Sequence, residues 1–129
     1  MITRVVIGLA TEMLLLEEVR RALRERGAAW TEEACTEAER ATCFARADPA
    51  PGLAARLAAK RATAQALGEP DLDLREIEIV PNASGRPFLA LHGSAKSAAD
   101  RLGAAAFHVT LTHAEHHALA VVLLEGSDP

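Results

Sequence analysis

Aromatic side chains are almost absent from this sequence. Its 129 residues include no tyrosine, one tryptophan and three phenylalanines. Proteins that bind single-stranded nucleic acid stack bases on aromatic rings, and this chain has too few rings for such a platform. The formal net charge of −4 also opposes binding to a phosphate backbone. We therefore expect no nucleic-acid partner.

Cysteine is scarce, and the chain lacks long apolar runs. Cys35 and Cys43 are the two cysteines, which are too few for the disulfide framework of a small secreted protein and are not spaced like metal ligands. We expect two half-buried thiols in a cytoplasmic protein. No apolar run approaches the length of a membrane span, and the first apolar stretch is too short for a signal peptide. No membrane partner is expected.

Alanine is the abundant residue, with 28 copies in a chain that is 50% hydrophobic. Small side chains let helices pack closely but bury little area each. We therefore expect close helix contacts and further burial at a subunit interface. The length predicts a single domain over residues 1–129, with 126–129 as a frayed tail.

The periodicity of apolar residues predicts an α+β fold, with an antiparallel sheet and helices packed on it. Gly27 and Gly103 are expected to end helices, and Thr36 to begin one through a capping box. The last two strands are predicted to form a hairpin. In chain order the predicted elements are a strand over 3–9, helices over 14–26 and around 31–47, a long helix over 53–67, strands at 77–79 and 88–91, a helix over 94–102, and strands over 107–112 and 118–124.

Four of the five histidines lie close together near the C-terminal end, at positions 108, 113, 116 and 117. Clustered imidazoles suit acid–base chemistry or metal binding. The alternative is a polar strand face followed by a solvated turn. A zinc site built from histidines alone is not expected, because no helical His-x-x-x-His pair is present.

Basic residues form a second candidate cluster. Arg56 and Lys60 are four residues apart on the long helix and are predicted to share one face. This patch is either a phosphate or carboxylate clamp or a solvated basic surface. Arg86 adds a cation beside Gly85, in a turn whose glycine lets the backbone approach a ligand.

The order and spacing of these motifs resemble those of the holo-acyl-carrier-protein synthases, the small AcpS type of 4′-phosphopantetheinyl transferase. The resemblance runs nearly from end to end of the chain. It is carried by Gly-Leu-Ala-Thr-Glu-Met at 8–13, Thr-Glu-Ala-Glu at 36–39, Arg-Leu-Ala-Ala-Lys-Arg-Ala at 56–62, Ile-Glu-Ile at 77–79, Gly-Arg-Pro-Phe-Leu at 85–89 and Phe-His-Val-Thr-Leu-Thr-His at 107–113.

The resemblance implies an α+β subunit that assembles into a homotrimer, with sites between neighbouring subunits. It also implies transfer of phosphopantetheine from coenzyme A to a serine of an acyl carrier protein, with Mg²⁺ bound by two carboxylates. On this basis the predicted catalytic residues are Lys60, His113 and Glu12, the predicted phosphate-binding residues are Arg56, Arg61, Gly85 and Arg86, and His108 and His116 are further acid–base candidates.

The chain departs from the family pattern at the implied metal ligands. Glu12 stands where the family has Asp, and Arg61 stands where it has Glu. Mg²⁺ requires near-ideal octahedral geometry. The longer carboxylate of Glu12 and the fixed cation of Arg61 should therefore weaken or abolish Mg²⁺ binding. Glu12 is left as the one metal-ligand candidate. We expect a Glu12–Arg61 salt bridge, with the guanidinium in place of the ion. Glu18 stands where the family has an arginine that meets the acidic carrier protein.

Three functions therefore remain open. The chain could be a transferase with an unusual site. It could instead perform acid–base chemistry, as a dehydratase, isomerase or cyclase does, on a polyketide or fatty-acid intermediate bound to coenzyme A or a carrier protein. It could also be a non-catalytic partner protein.

Overall fold

The computed structural model describes residues 3–127, and no helix in that range is long and apolar enough to cross a membrane. Two short 3₁₀ helices, at Ala28–Glu33 and Leu74–Glu76, lie in the segments that connect the longer elements. The helices and strands are β1 (Arg4–Leu15), α1 (Leu16–Arg26), α2 (Glu37–Phe44), α3 (Ala50–Ala66), β2 (Ile77–Pro81), β3 (Pro87–Leu91), α4 (Gly93–Leu102), β4 (Ala104–His113) and β5 (His117–Ser127).

The strands form two antiparallel sheets, so the predicted α+β class is confirmed. One sheet has three strands in the order β1–β5–β4, and the other consists of β2 and β3. β4 and β5 form the predicted hairpin, with Val109 opposite Val122. The predicted helix boundaries at Thr36 and Gly103 are also confirmed, since Thr36 completes a capping box and Gly103 adopts a left-handed conformation after α4.

α3 packs on the three-stranded sheet and is buried along most of its length. Ala54, Ala58, Ala59 and Ala62 are fully buried on it. Their small side chains let the helix axis approach the sheet. At Gly8 of β1 the approach is so close that a Cβ atom would collide with the carbonyl oxygen of Ala66. The expected close packing through alanine is therefore present.

β1 and β5 are both longer than predicted. β1 continues to Leu15 instead of ending at residue 9, because its second half pairs with β5, with Leu14 opposite Ala118. α1 accordingly begins at Leu16 rather than at residue 14. The predicted frayed tail is wrong for Gly126 and Ser127, which pair with β1, and residues 128–129 lie outside the described range.

Both thiols are buried more deeply than predicted. Cys35 is 3% exposed, Cys43 is 1% exposed, and both are free. Burial disfavours the thiolate and raises the pKa of Cys35 to about 11, and it raises the pKa of Cys43 as well. These residues belong to the core cluster that includes Leu53 of α3.

We predict that Cys35 resists a thiol-specific reagent at pH 8 in the folded protein. An exposed thiol, with a pKa of about 8.5, is partly ionised there, whereas the raised pKa keeps Cys35 protonated and its burial blocks access. Both cysteines should react fully in guanidinium chloride, which serves as the control. Rapid labelling of Cys35 without denaturant, located by peptide mass spectrometry, would contradict the burial described above.

Candidate functional site

A cavity of about 510 Å³ opens where α2, the first half of α3 and the end of β4 meet. Arg46 follows α2, Arg56 projects from α3, and His113 ends β4, and all three line the cavity. We call this cavity the basic pocket. Two of the predicted site residues, Arg56 and His113, line it together. Arg46 also lines it, although no sequence motif indicated this residue.

Arg56 has unused hydrogen-bonding capacity in the basic pocket. Its Nη1 donates to the carbonyl oxygen of Gly52 at 3.2 Å, whereas its Nε is buried with no hydrogen-bond partner among the described residues. A Cβ atom on Gly52 would come within 3.3 Å of Nη1, so the glycine leaves room for the guanidinium. An unpaired guanidinium donor fits an anionic ligand, because a buried donor without a partner is costly.

The basic pocket contains one acidic side chain among the described residues that line it. That residue is Asp48, and the Arg20 guanidinium donates to its Oδ2 at 2.8 Å. This bond and a backbone hydrogen bond from Ala50 hold the pKa of Asp48 below its usual range. Because Arg20 compensates the charge of Asp48, the charges of Arg46 and Arg56 are left to attract an anion.

Lys60 does not belong to a surface patch. Its side chain is 0% exposed, and its Nζ lies 2.6 Å from Oε1 of Glu39 on α2. Nζ also donates to the carbonyl oxygens of Ile77, at 2.7 Å, and Leu74, at 3.0 Å. The predicted patch of Arg56 and Lys60 is therefore wrong, and Lys60 is not placed where it could touch a substrate. It is a core residue because α3 is covered on that side by α2 and β2.

The carboxylate of Glu39 is satisfied on both oxygens. Its Oε1 accepts from the backbone N–H of Thr36 at 2.8 Å as well as from Lys60, and its Oε2 accepts from the N–H of Ile79 at 2.9 Å. A buried ion pair needs such additional hydrogen bonds to offset desolvation. The Lys60–Glu39 pair thus joins α3, α2 and β2.

A second, shallower depression of about 330 Å³ lies on the side of α3 that faces β1. Glu12 of β1 and Arg61 and Gln65 of α3 line it together with apolar residues. We call it the Glu12 site. Gln65 Nε2 donates to Oε1 of Glu12, while the side chain of Arg61 is exposed and makes no hydrogen bond or ion pair within residues 3–127.

The predicted Glu12–Arg61 salt bridge is therefore wrong. Both residues border the same depression, but Gln65 takes the place that the guanidinium was expected to occupy. Sequence reasoning missed Gln65. Its position four residues after Arg61, on the same helical face, was the available signal.

Mg²⁺ does not fit the residues of the Glu12 site. They provide one carboxylate, one carboxamide that donates to that carboxylate, and one guanidinium. Mg²⁺ binds oxygen ligands, usually one or two carboxylates plus substrate phosphates, and a fixed cation beside it would repel it. No group of three or more histidine, cysteine, aspartate and glutamate residues in the described part of the chain is arranged to hold a metal ion.

The other predicted site residues lie outside both cavities. Gly85 and Arg86 are exposed in the β2–β3 turn, where the N–H of Arg86 donates to the side chain of Asn82 at 3.0 Å. His108 is exposed on β4, with Nε2 2.7 Å from Oε1 of Glu125. His116 is exposed in the β4–β5 turn. The structure does not bring these residues to Arg56 or Glu12.

Comparison with known proteins gives consistent matches over nearly the whole chain. The family model described as 4′-phosphopantetheinyl transferase superfamily matches residues 16–122. A holo-[acyl-carrier-protein] synthase from Anaeromyxobacter sp. (strain K) is 41% identical, covering 96% of this chain and 99% of that protein.

Two solved structures have the same fold. The holo-[acyl-carrier-protein] synthase from Neisseria meningitidis has a TM-score of 0.83 and 27% identity, covering 93% of this chain and 98% of that one. The Bacillus anthracis synthase in complex with CoA (3′,5′-ADP) has a TM-score of 0.78 and 23% identity, covering 95% of this chain and 98% of that one.

Proposed function

Because this chain belongs to the 4′-phosphopantetheinyl transferase superfamily, we propose that it binds coenzyme A and transfers phosphopantetheine to a serine of an acyl carrier protein. The observation that carries the proposal is the basic pocket, where Arg46, Arg56 and His113 surround a cavity and Arg56 keeps an unpaired donor. A relative named holo-[acyl-carrier-protein] synthase, at 41% identity over almost the full length, supports the same conclusion.

The basic pocket suits the phosphates of the nucleotide end of coenzyme A. Arginine presents a planar fork of donors that binds phosphate oxygens in pairs, and His113 adds a ring nitrogen beside Arg56. A volume of about 510 Å³ lies within the range of small-molecule sites. The Bacillus anthracis relative, whose fold this chain shares, is described in complex with CoA (3′,5′-ADP).

The basic pocket and the Glu12 site open on different sides of α3. Arg56 and Arg61 are five residues apart on this helix, which corresponds to roughly 7.5 Å along its axis and roughly 140° around it. The two cavities share no lining residue. We therefore place the reaction between two copies of the chain, with the basic pocket of one copy facing the Glu12 site of its neighbour.

An apolar sheet face supports assembly into the homotrimer that the resemblance implies. The face of the three-stranded sheet that points away from α3 carries Val6, Leu9 and Met13 on β1, which are 58%, 61% and 60% exposed. Leu119 on β5 extends this patch next to Met13. Exposed apolar patches of this kind mark interaction surfaces. Burying this face between copies also supplies the area that an alanine-rich core lacks.

The chemistry requires the serine oxygen to form a bond to the phosphorus that carries pantetheine. The bond between that phosphorus and the bridging oxygen then breaks, and 3′,5′-ADP leaves. Glu12 is the carboxylate of the Glu12 site, and its Oε2 has no partner among the described residues, so we assign it to accept the serine proton. Arg56 and Arg46 hold the nucleotide end, and Lys60 acts only as a core residue.

A second candidate is a protein that binds coenzyme A and a carrier protein without transferring the group. The observation that favours it is the Glu12 site itself, which has one carboxylate and a guanidinium and no set of metal ligands. Acid–base chemistry on a bound intermediate has less support. It would depend on His113 or Glu12, because Lys60 is buried and His108 and His116 lie outside both cavities.

We predict that the purified protein binds coenzyme A and adds phosphopantetheine to an apo carrier protein, detected as a mass increase of the carrier. Arg56→Ala should weaken coenzyme A binding by about tenfold or more, because it removes charge-assisted hydrogen bonds. Arg75→Ala is the matched control, since Arg75 is exposed, pairs with Asp73 and lines neither cavity.

The outcomes separate the two candidates. Binding with transfer supports the transferase. Saturable binding without transfer supports the binding protein. If wild type shows no binding in calorimetry, or if Arg56→Ala binds as tightly as Arg75→Ala, the assignment of the basic pocket is wrong.

A further inference from the structure

Arg61 presents a guanidinium at the Glu12 site that has no hydrogen-bond or ion-pair partner among the described residues. The side chain is exposed, and the carboxylate of the same depression is already held by Gln65. Leu72 and Leu74 line the depression beside it, and such apolar walls strengthen the attraction between a cation and an anionic ligand. The donors of this guanidinium are therefore not taken by any described side chain, although the Glu12 carboxylate lies in the same depression.

We propose that Arg61 binds the diphosphate of coenzyme A in place of a divalent cation, so that the protein binds coenzyme A without Mg²⁺. This inference rests on the proposed function. A guanidinium is always protonated and can donate two parallel hydrogen bonds to a phosphate. It is also part of the chain, so the positive charge is present before the ligand arrives.

Gln65 is the positioning residue in this arrangement. By donating to Oε1 of Glu12, it keeps that carboxylate away from Arg61, four residues earlier on the same helix face. Without Gln65, the Glu12 carboxylate could pair with the guanidinium and compete with the phosphates. Gln65→Leu should therefore weaken coenzyme A binding, and adding Glu12→Gln should restore it, because an uncharged side chain no longer competes. A merely structural role for Gln65 would not give this rescue.

Calorimetric titration with coenzyme A tests the inference, in buffer with Mg²⁺ and in buffer with EDTA. We expect the wild-type dissociation constant to change less than about twofold between the two buffers. Arg61→Gln should weaken binding by about tenfold or more in both, and Arg61→Lys by less. Arg101→Gln is the matched control, because Arg101 is an exposed helical arginine that pairs with Glu69, and neither residue lines the Glu12 site.

A metal readout completes the experiment. Mn²⁺, followed by electron paramagnetic resonance, should not bind to the wild-type protein with coenzyme A, whereas the folded double variant Glu12→Asp/Arg61→Glu should bind it. A wild type that requires Mg²⁺ for binding, or Arg61→Gln that binds like Arg101→Gln, overturns the inference and leaves the proposed function intact. Absence of coenzyme A binding in both buffers overturns the proposed function and this inference with it.

Discussion

Lys60→Met should cost roughly 3–5 kcal/mol in the free energy of unfolding, enough to unfold a domain of ordinary stability. Lys60 and Glu39 are 0% and 1% exposed at their side chains, with 2.6 Å between Nζ and Oε1. Removing the ammonium leaves a buried carboxylate without its counter-charge. It also takes the donor from two backbone carbonyl groups, those of Leu74 and Ile77. Urea unfolding followed by circular dichroism, at one fixed protein concentration, measures the loss.

The double variant Lys60→Met/Glu39→Gln provides the control. It removes both charges but keeps an amide oxygen that can accept from the backbone of Thr36 or Ile79, the donors that Glu39 now serves. We expect it to be more stable than Lys60→Met alone, because no uncompensated charge is buried. If the double variant is no more stable than the single one, or if Lys60→Met loses less than about 1 kcal/mol, the ion pair is not what joins α3 to α2 and β2.

Mixing two defective variants should recover coenzyme A binding. If each site combines the basic pocket of one copy with the Glu12 site of the next, Arg56→Ala disables one half and Arg61→Gln the other. A trimer made of one variant alone then has no intact site. A trimer that contains both variants has one, formed by the intact basic pocket of an Arg61→Gln copy and the intact Glu12 site of an Arg56→Ala copy. Random assembly from equal amounts makes about three-quarters of the trimers mixed, so about a quarter of all sites should bind with wild-type affinity.

The experiment uses co-refolded variants and counts tight sites by calorimetry, with analytical ultracentrifugation to measure the oligomer. Unmixed Arg56→Ala and Arg61→Gln are the controls. Met13→Glu, which places a charge on the exposed apolar sheet face, should dissociate the assembly. A wild-type protein that stays monomeric at high concentration, or mixtures that recover no tight sites, would contradict the shared site.

Local sequence signals predicted the parts of the fold that depend on local interactions. The capping box at Thr36 and the left-handed Gly103 act within a few residues of themselves, and both are present. β1 was predicted too short because its second half is held by β5, more than a hundred residues away in the sequence, with Leu15 opposite His117.

The site was harder to predict because helical spacing shows which residues share a face but not what covers that face. Arg56 and Lys60 share a face by spacing, yet one borders a cavity and the other meets Glu39 in the core. The resemblance drew attention to Glu12 and Arg61, and the two residues line one depression. The partner of Glu12 could not be inferred, since which side chain reaches it depends on how β1 and α3 are placed against each other.

The packing of α3 also bears on how this protein could change its chemistry. Between Leu53 and Ala66 the exposed positions are Arg61 and Gln65, and Arg56 is half-buried. The remaining positions are buried, many of them as alanine against the sheet, where larger side chains would not fit. Substitutions that alter the Glu12 site therefore fall where the helix tolerates them, while the scaffold stays under strict steric constraint. Evolution can exchange the chemistry of this surface without disturbing the architecture beneath it.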